Sequence, residues 1–258
     1  LSSSQPKASN GFEIWLFAFG VGVGSRLLVL RDRLLGHLRP VATGCRHKVP
    51  SGENILDASW VVPDDAWAAL LICHGIGETP EHWPHAQQLL AEAGVASLIF
   101  NYSGFGCSTG RVSPKQCERD AEAAYAWLRE RLPGVQVTLL GFSLGTGVAT
   151  TVCSRMEVSG LILCEGYTSF REAAARLGVP PGCFPGVWRN VETLAGCPVP
   201  LLVVHGGRDR LFPVAMGQAL AAAGGGKLAV IDGMGHSDLH SKVRLEDWQV
   251  IVEWMRQT

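Results

Sequence analysis

Val135-Gln136-Val137-Thr138-Leu139-Leu140-Gly141-Phe142-Ser143-Leu144-Gly145-Thr146-Gly147-Val148 decides how this chain is read. Its first part is a short β-branched and leucine-rich run, which reads as a buried strand. A G-x-S-x-G pattern follows at once, Gly141 to Gly145, and then a helix-like stretch from Gly147 to Val152. Strand, sharp turn and helix in that order lift a serine hydroxyl onto an exposed corner, and the glycines spare the turn its steric clashes. The pattern alone is weak, because Gly106-Cys107-Ser108-Thr109-Gly110 repeats it. That second copy lies several residues past its strand and leads into Arg111-Val112-Ser113, so Ser108 reads as a loop-shaping hydroxyl.

Outward from the elbow the chain alternates short apolar runs with helical patterns. The runs are 59–62, 68–73, 96–101, 136–141, 160–165, 200–205 and 227–231, several of them continuously apolar. Such runs suit strands of a parallel sheet covered on both faces. Helical candidates lie at 85–93, 114–131, 144–156, 169–177, 214–223 and 245–257. The second has Ser113 as N-cap, Pro114 at the first position and Gln116 to complete a capping box. Its apolar side is Ala121, Ala124, Leu128 and Leu132; that of the last helix is Leu245, Trp248, Val252 and Met255. The alternation predicts a doubly wound, mostly parallel α/β sheet over 41–258, a single domain without internal repeats.

Composition agrees with a buried sheet. The chain has 258 residues, 17% of them charged, 47% hydrophobic, with 31 glycines and a net charge of −1. The near-zero charge argues against a nucleic-acid partner, which would call for a basic stripe. Eight cysteines show no C-x-x-C or C-x-x-H spacing, so no metal site is expected. Cys73 and Cys164 sit in apolar runs and read as small buried hydrophobes, and free thiols point to a reducing, cytoplasmic setting. Cys183 with Cys197 is the pair to test for a disulfide.

Residues 1–40 stand apart, a polar tail followed by an apolar segment. Residues 14–30 are apolar except for Ser25 and Arg26, diluted by Gly20, Gly22 and Gly24, too short and too interrupted to span a bilayer. With Arg26, Arg31, Arg33 and Arg39, the stretch 14–39 suits a helix at a membrane surface; packing on the domain and a trimmed remnant are the other readings.

In a sheet of this kind, functional residues belong at the carboxyl ends of the strands. Those loops carry His74-Gly75-Ile76-Gly77, residues 101–110, residues 141–145, Glu165, Asp209 and His236. A serine nucleophile needs a base, and the base an orienting acid. His236 lies in a glycine-rich loop after the last run, and Asp209 follows the run ending at His205. Glu165 is the alternative acid, Asp238 is too near His236 in sequence, and His240 reads as the start of a surface segment. The oxyanion donors expected are the backbone N–H groups of Leu144 and Ile76, with His74 bracing the loop of Gly75.

Together these segments resemble the α/β-hydrolase fold, closest to the branch of monoglyceride lipases, esterases and serine aminopeptidase-like proteins. His74-Gly75-Ile76-Gly77-Glu78 resembles the oxyanion loop of that branch, and residues 101–110 its loop after the fourth strand. The resemblance implies a carboxylic ester or thioester hydrolase acting on a small acyl substrate through an acyl-enzyme on Ser143, with no cofactor. The enzymatic alternative is an aminopeptidase-like amide hydrolase, and the non-enzymatic one a scaffold without activity. Asn101 stands where many relatives carry Asp, and the stretch between Glu165 and Leu201 is short, which implies only a small cap from Thr168 to Val191, with Phe184, Pro185 and Trp188 to cover the site.

Overall fold

The computed structural model describes residues 45–179, 186–242 and 244–258. The apolar segment 14–39, Phe184, Pro185 and Cys183 lie outside the described residues. Among the described residues no helix is long and apolar enough to cross a membrane.

Eight strands form one sheet: β1 (Cys45–Ser51), β2 (Asn54–Val61), β3 (Ala68–Cys73), β4 (Val95–Phe100), β5 (Gln136–Phe142), β6 (Gly160–Cys164), β7 (Leu201–Gly206) and β8 (Lys227–Ile231). Their spatial order is β1-β2-β4-β3-β5-β6-β7-β8. β1 and β2 pair antiparallel, as do β2 and β4, and every other neighbouring pair is parallel. The apolar runs 68–73, 96–101 and 160–165 become the fully buried strands β3, β4 and β6. β1 carries no apolar run, because Cys45-Arg46-His47-Lys48 is polar and the strand is an edge hairpin with β2.

The side chains alternate between two cores. Ala69, Leu71 and Cys73 of β3 join one core, packed by α2 (Pro114–Arg131), α3 (Gly145–Cys153) and α6 (Val214–Ala223). Ala68, Leu70 and Ile72 face the other, packed by α1 (Pro84–Glu92) and α8 (Leu245–Gln257). Among the described residues there are also three shorter α-helices, α4 (Phe170–Arg176), α5 (Asn190–Leu194) and α7 (Asp238–Ser241), and a 3-10 turn at Pro80–His82.

Two helix expectations change. The Ser113 hydroxyl does accept the Gln116 N–H at 3.1 Å, but the Gln116 amide donates to Asp120 Oδ1 instead of closing a capping box. Asp120 is the stronger pull because it is buried, where it also accepts from the Ser51 and Ser103 hydroxyls. On α8 the buried face is Trp248, Ile251, Trp254 and Met255, while Leu245 is 55% exposed. Leu245 is the first helical residue, at the end of the helix, and its place in the apolar period does not bury it.

Candidate active site

The elbow at the end of β5 has the geometry its glycines imply. Ser143 has φ of 50°, a left-handed conformation that costs a non-glycine residue about 1–3 kcal/mol. The turn is held by the Ser143 N–H donating to the Cys164 carbonyl at 3.0 Å, and by Thr146, whose N–H and hydroxyl donate to the Ser143 carbonyl at 3.0 and 2.6 Å. A Cβ at Gly141 would stand 2.6 Å from the Gly145 carbonyl oxygen, so the backbone of α3 crosses where no side chain fits.

Ser143, His236 and Asp209, expected from three separate loops, meet in one chain of hydrogen bonds. Ser143 Oγ lies 2.8 Å from His236 Nε2, and His236 Nδ1 lies 2.8 Å from Asp209 Oδ2. A proton on Nδ1 aimed at the carboxylate leaves Nε2 able to accept from the serine hydroxyl. The other Asp209 oxygen accepts the N–H groups of Leu211 and Phe212 at 2.8 and 2.9 Å, which fixes the carboxylate plane. Burial alone would raise the Asp209 pKa, but the hydrogen bond from His236, the neighbouring Glu165 carboxyl and the Phe212 N–H hold it below the ordinary aspartate value. The His236 loop is itself braced, since the Gly235 N–H donates to Asp238 Oδ2 at 2.9 Å.

Ile76 borders the cavity that also holds Ser143 and His236, with Leu211 on its wall. Among the described residues neither the Ile76 nor the Leu144 N–H is taken by a backbone carbonyl. His74 is fully buried behind this loop, its Nδ1 2.8 Å from the Gly75 carbonyl and its ring against Tyr102 and Phe105. Burial pushes its pKa down to about 4, which suits a neutral brace. The Gly75 N–H donates to Glu78 Oε2 at 3.0 Å, so the loop is tied from its other side as well.

Several side chains fall elsewhere than their sequence context implies. His240 is buried: it stacks on Trp83 at 5.0 Å between ring centroids and places Nε2 3.3 Å from Glu78 Oε1. The short helix α7 turns it inward, a placement that no local pattern announces. Glu78 thus sits between the oxyanion-type loop and His240. Trp188 does not cover the site; it packs on Gly147 of α3 and donates its indole N–H to Glu118 at 3.1 Å. Ser108 fulfils its loop role, donating to the Asn101 carbonyl at 2.7 Å and accepting the Asp57 N–H at 2.9 Å.

Glu165, the alternative acid, is not bonded to His236. It follows β6 with φ of 52°, is fully buried, and accepts the Gly206 N–H at 3.0 Å. Glu165, Asp209 and His236 bring ligand-type atoms within 4.8 Å of one another, the one such cluster among the described residues. Those atoms are already engaged with each other and with Ser143.

A family model for the alpha/beta hydrolase fold matches residues 68–180. The uncharacterized protein Rv2307c of Mycobacterium tuberculosis (strain ATCC 25618 / H37Rv) is 28% identical over 237 residues, 81% of this chain and 82% of that protein. The lysophosphatidylserine lipase ABHD12 of Rattus norvegicus is 28% identical over 209 residues, 70% of this chain. This match spans only about half of ABHD12, 52% of its length. Among solved structures, the Pyrococcus furiosus esterase Pf2001 superposes with a TM-score of 0.71 at 19% identity, covering 86% of this chain and 96% of its own. The parallel sheet, the elbow after β5 and these likenesses agree: the chain has the α/β-hydrolase fold.

Proposed function

We propose that the protein is a serine hydrolase that cleaves carboxylic esters, or thioesters, through an acyl-enzyme on Ser143. The observation that carries this reading is the unbroken relay from Ser143 Oγ through both His236 nitrogens to Asp209 Oδ2, each link 2.8 Å. In the first half-reaction His236 Nε2 takes the Ser143 proton as Oγ attacks the acyl carbon. The same nitrogen then returns that proton to the leaving oxygen or sulfur. Water activated by His236 releases the acyl group in the second half. Asp209 keeps the imidazole in the needed tautomer and stabilises the imidazolium. The Leu144 and Ile76 N–H groups receive the oxyanion, each worth about 3–4 kcal/mol of barrier. No metal or organic cofactor enters this chemistry.

An amine-binding peptidase site has less support, because both nearby acidic groups are already engaged by neighbours, including Glu78 on the wall of the Ser143 cavity. Glu78 is taken up by the Gly75 N–H, the Trp83 indole and His240, and Glu165 lies behind Asp209. The likeness to a lysophosphatidylserine lipase makes single-chain acyl lipids one arm of the substrate panel. The stretch 14–39 is proposed as a membrane-surface contact that would bring such lipids near.

The test is hydrolysis of p-nitrophenyl esters, acyl thioesters and lysophospholipids of graded chain length, with Ser143→Ala as blank. The variant is expected to lose activity by about 10³-fold or more. Full activity in Ser143→Ala, or no fluorophosphonate adduct on Ser143 in the parent, overturns the reading.

A further inference from the structure

Two carboxyl groups, not one, stand behind His236. Glu165 leaves β6 and Asp209 leaves the neighbouring β7, and the two buried side chains bring carboxyl oxygens within 4.8 Å of each other. Two carboxyl groups this close and this buried repel as anions, which favours a proton on one of them. The surroundings decide which. Asp209 receives three donors, the His236 Nδ1–H and the N–H groups of Leu211 and Phe212, all of which favour an anion. Glu165 receives one, the Gly206 N–H, which reaches its two oxygens at 3.0 and 3.2 Å. The remaining neighbours do not supply a charge to Glu165. His205 Nε2 is 3.7 Å from both carboxylates but donates to the Phe212 carbonyl at 2.9 Å, and burial lowers its pKa. Asp238 adds negative field, and Cys164 on the same strand is a buried thiol.

We infer that Glu165 is a positioning residue, held as the neutral acid, whose hydroxyl donates to the Asp209 carboxylate and locks it in the plane of the His236 imidazole. This rests on the hydrolase reading only for its kinetic consequence. Burial and the neighbouring Asp209 carboxylate push the Glu165 pKa up to about 10, against the opposing pull of the Gly206 N–H. The left-handed backbone at Glu165 fits this role: the chain accepts strain to turn a buried carboxyl toward a second one. A residue needed only to fill the space would not require that turn.

Gln at this position keeps a neutral donor of the same reach, whereas Leu keeps the volume and removes the donor. Glu165→Gln is expected to hold kcat and KM within about threefold of the parent, with the acid limb of the kcat/KM profile unmoved. Glu165→Leu is expected to lower kcat by about 10- to 100-fold at unchanged KM, the loss of one charge-assisted donor. Equal activity in the Gln and Leu variants would overturn the proposal in favour of simple packing. A fall in the acid-limb pKa in Glu165→Gln would also overturn it, since removing a true anion makes His236 harder to protonate. Infrared spectroscopy decides the protonation without turnover and without the Leu variant. The parent should show the carbonyl stretch of a protonated carboxyl at mildly alkaline pH, absent in Glu165→Gln. If Ser143 takes no fluorophosphonate label while that band is present, the hydrolase reading fails and the neutral Glu165 stands. Absence of the band overturns the proposal whatever the activity.

Discussion

Gly145 lies so close to Cys73 that a Cβ on it would overlap the Cys73 carbonyl oxygen and sit 2.5 Å from the carbonyl carbon. The obstacle is backbone of the central strand β3, so it cannot rotate aside as a side chain would. Gly145→Ala is therefore expected to push α3 off the sheet, destabilising the fold at the upper end of about 1–3 kcal/mol and removing the Ser143 label. Gly134 is the control: it has φ of 83° with nothing within 4 Å of an added Cβ. Its alanine variant should cost only backbone strain, about 1 kcal/mol, and keep the label. Urea denaturation with fluorophosphonate labelling compares the two. Equal losses would mean that the close approach to Cys73 is not what selects glycine.

The same contrast explains what was legible in the sequence. The elbow, the strands β3 to β7 and the three residues of the relay each leave a local mark: an apolar run, a glycine pair, a polar residue at a strand end. Partnerships between distant segments leave none. His240 looked like a surface residue because only the turn of α7 shows that it faces Trp83 and Glu78. Glu165 is visible as a candidate acid, but its place beside Asp209, without a bond to His236, depends on the spacing of β6 and β7. β1 is polar because it is an edge, and edge strands carry the weakest apolar signal.

Ser108 tests whether the strand-end context separates the two G-x-S-x-G copies. Its hydroxyl joins the Asp57 N–H of β2 to the Asn101 carbonyl that follows β4. Ser108→Ala should lose about 1–2 kcal/mol of stability while ester turnover by the folded fraction stays at the parent level. Thermal melts and active-site titration with a fluorophosphonate separate these effects. A loss of titratable sites in fully folded Ser108→Ala would place this serine in the chemistry after all.

Stability should depend on pH in opposite senses through the two buried carboxyls. Asp209 has a depressed folded pKa, so its contribution is complete above the unfolded value near 3.8 and is lost as pH falls through the folded one. Glu165 is raised from 4.5 to about 10, so between those values the unfolded chain is ionised while the folded chain keeps the proton. The unfolded state then binds fewer protons, and stability falls as pH rises across that window. Glu165→Gln removes this term and should gain on the parent with increasing pH, by at most about 1.4 kcal/mol per unit. Urea midpoints of the two proteins from mildly acidic to alkaline pH give the comparison. Parallel curves would show that Glu165 ionises in the folded protein as it does in the unfolded one.

Cysteine chemistry should follow proximity more than sequence spacing. Cys197, considered as a partner of Cys183 from sequence, places its sulfur 3.4 Å from that of Cys153 at the end of α3. Both are buried thiols, and burial together with the facing sulfur raises the Cys153 pKa, which makes the native pair slow to react. Cys107 is exposed and is the first described cysteine that native alkylation should modify. After mild oxidation with a diazenedicarboxamide reagent, which takes up the two electrons and two protons released by the thiols, peptide mapping should find Cys153 linked to Cys197. Because Cys153 closes the helix that begins beside Ser143, that crosslink would tie α3 to the loop after α5, a helix it already packs against in the native fold. Ester turnover should therefore survive oxidation, and a Cys153→Ser variant should abolish the crosslink without changing turnover. Recovery of Cys197 in any other disulfide would mean that the facing sulfurs do not govern its pairing.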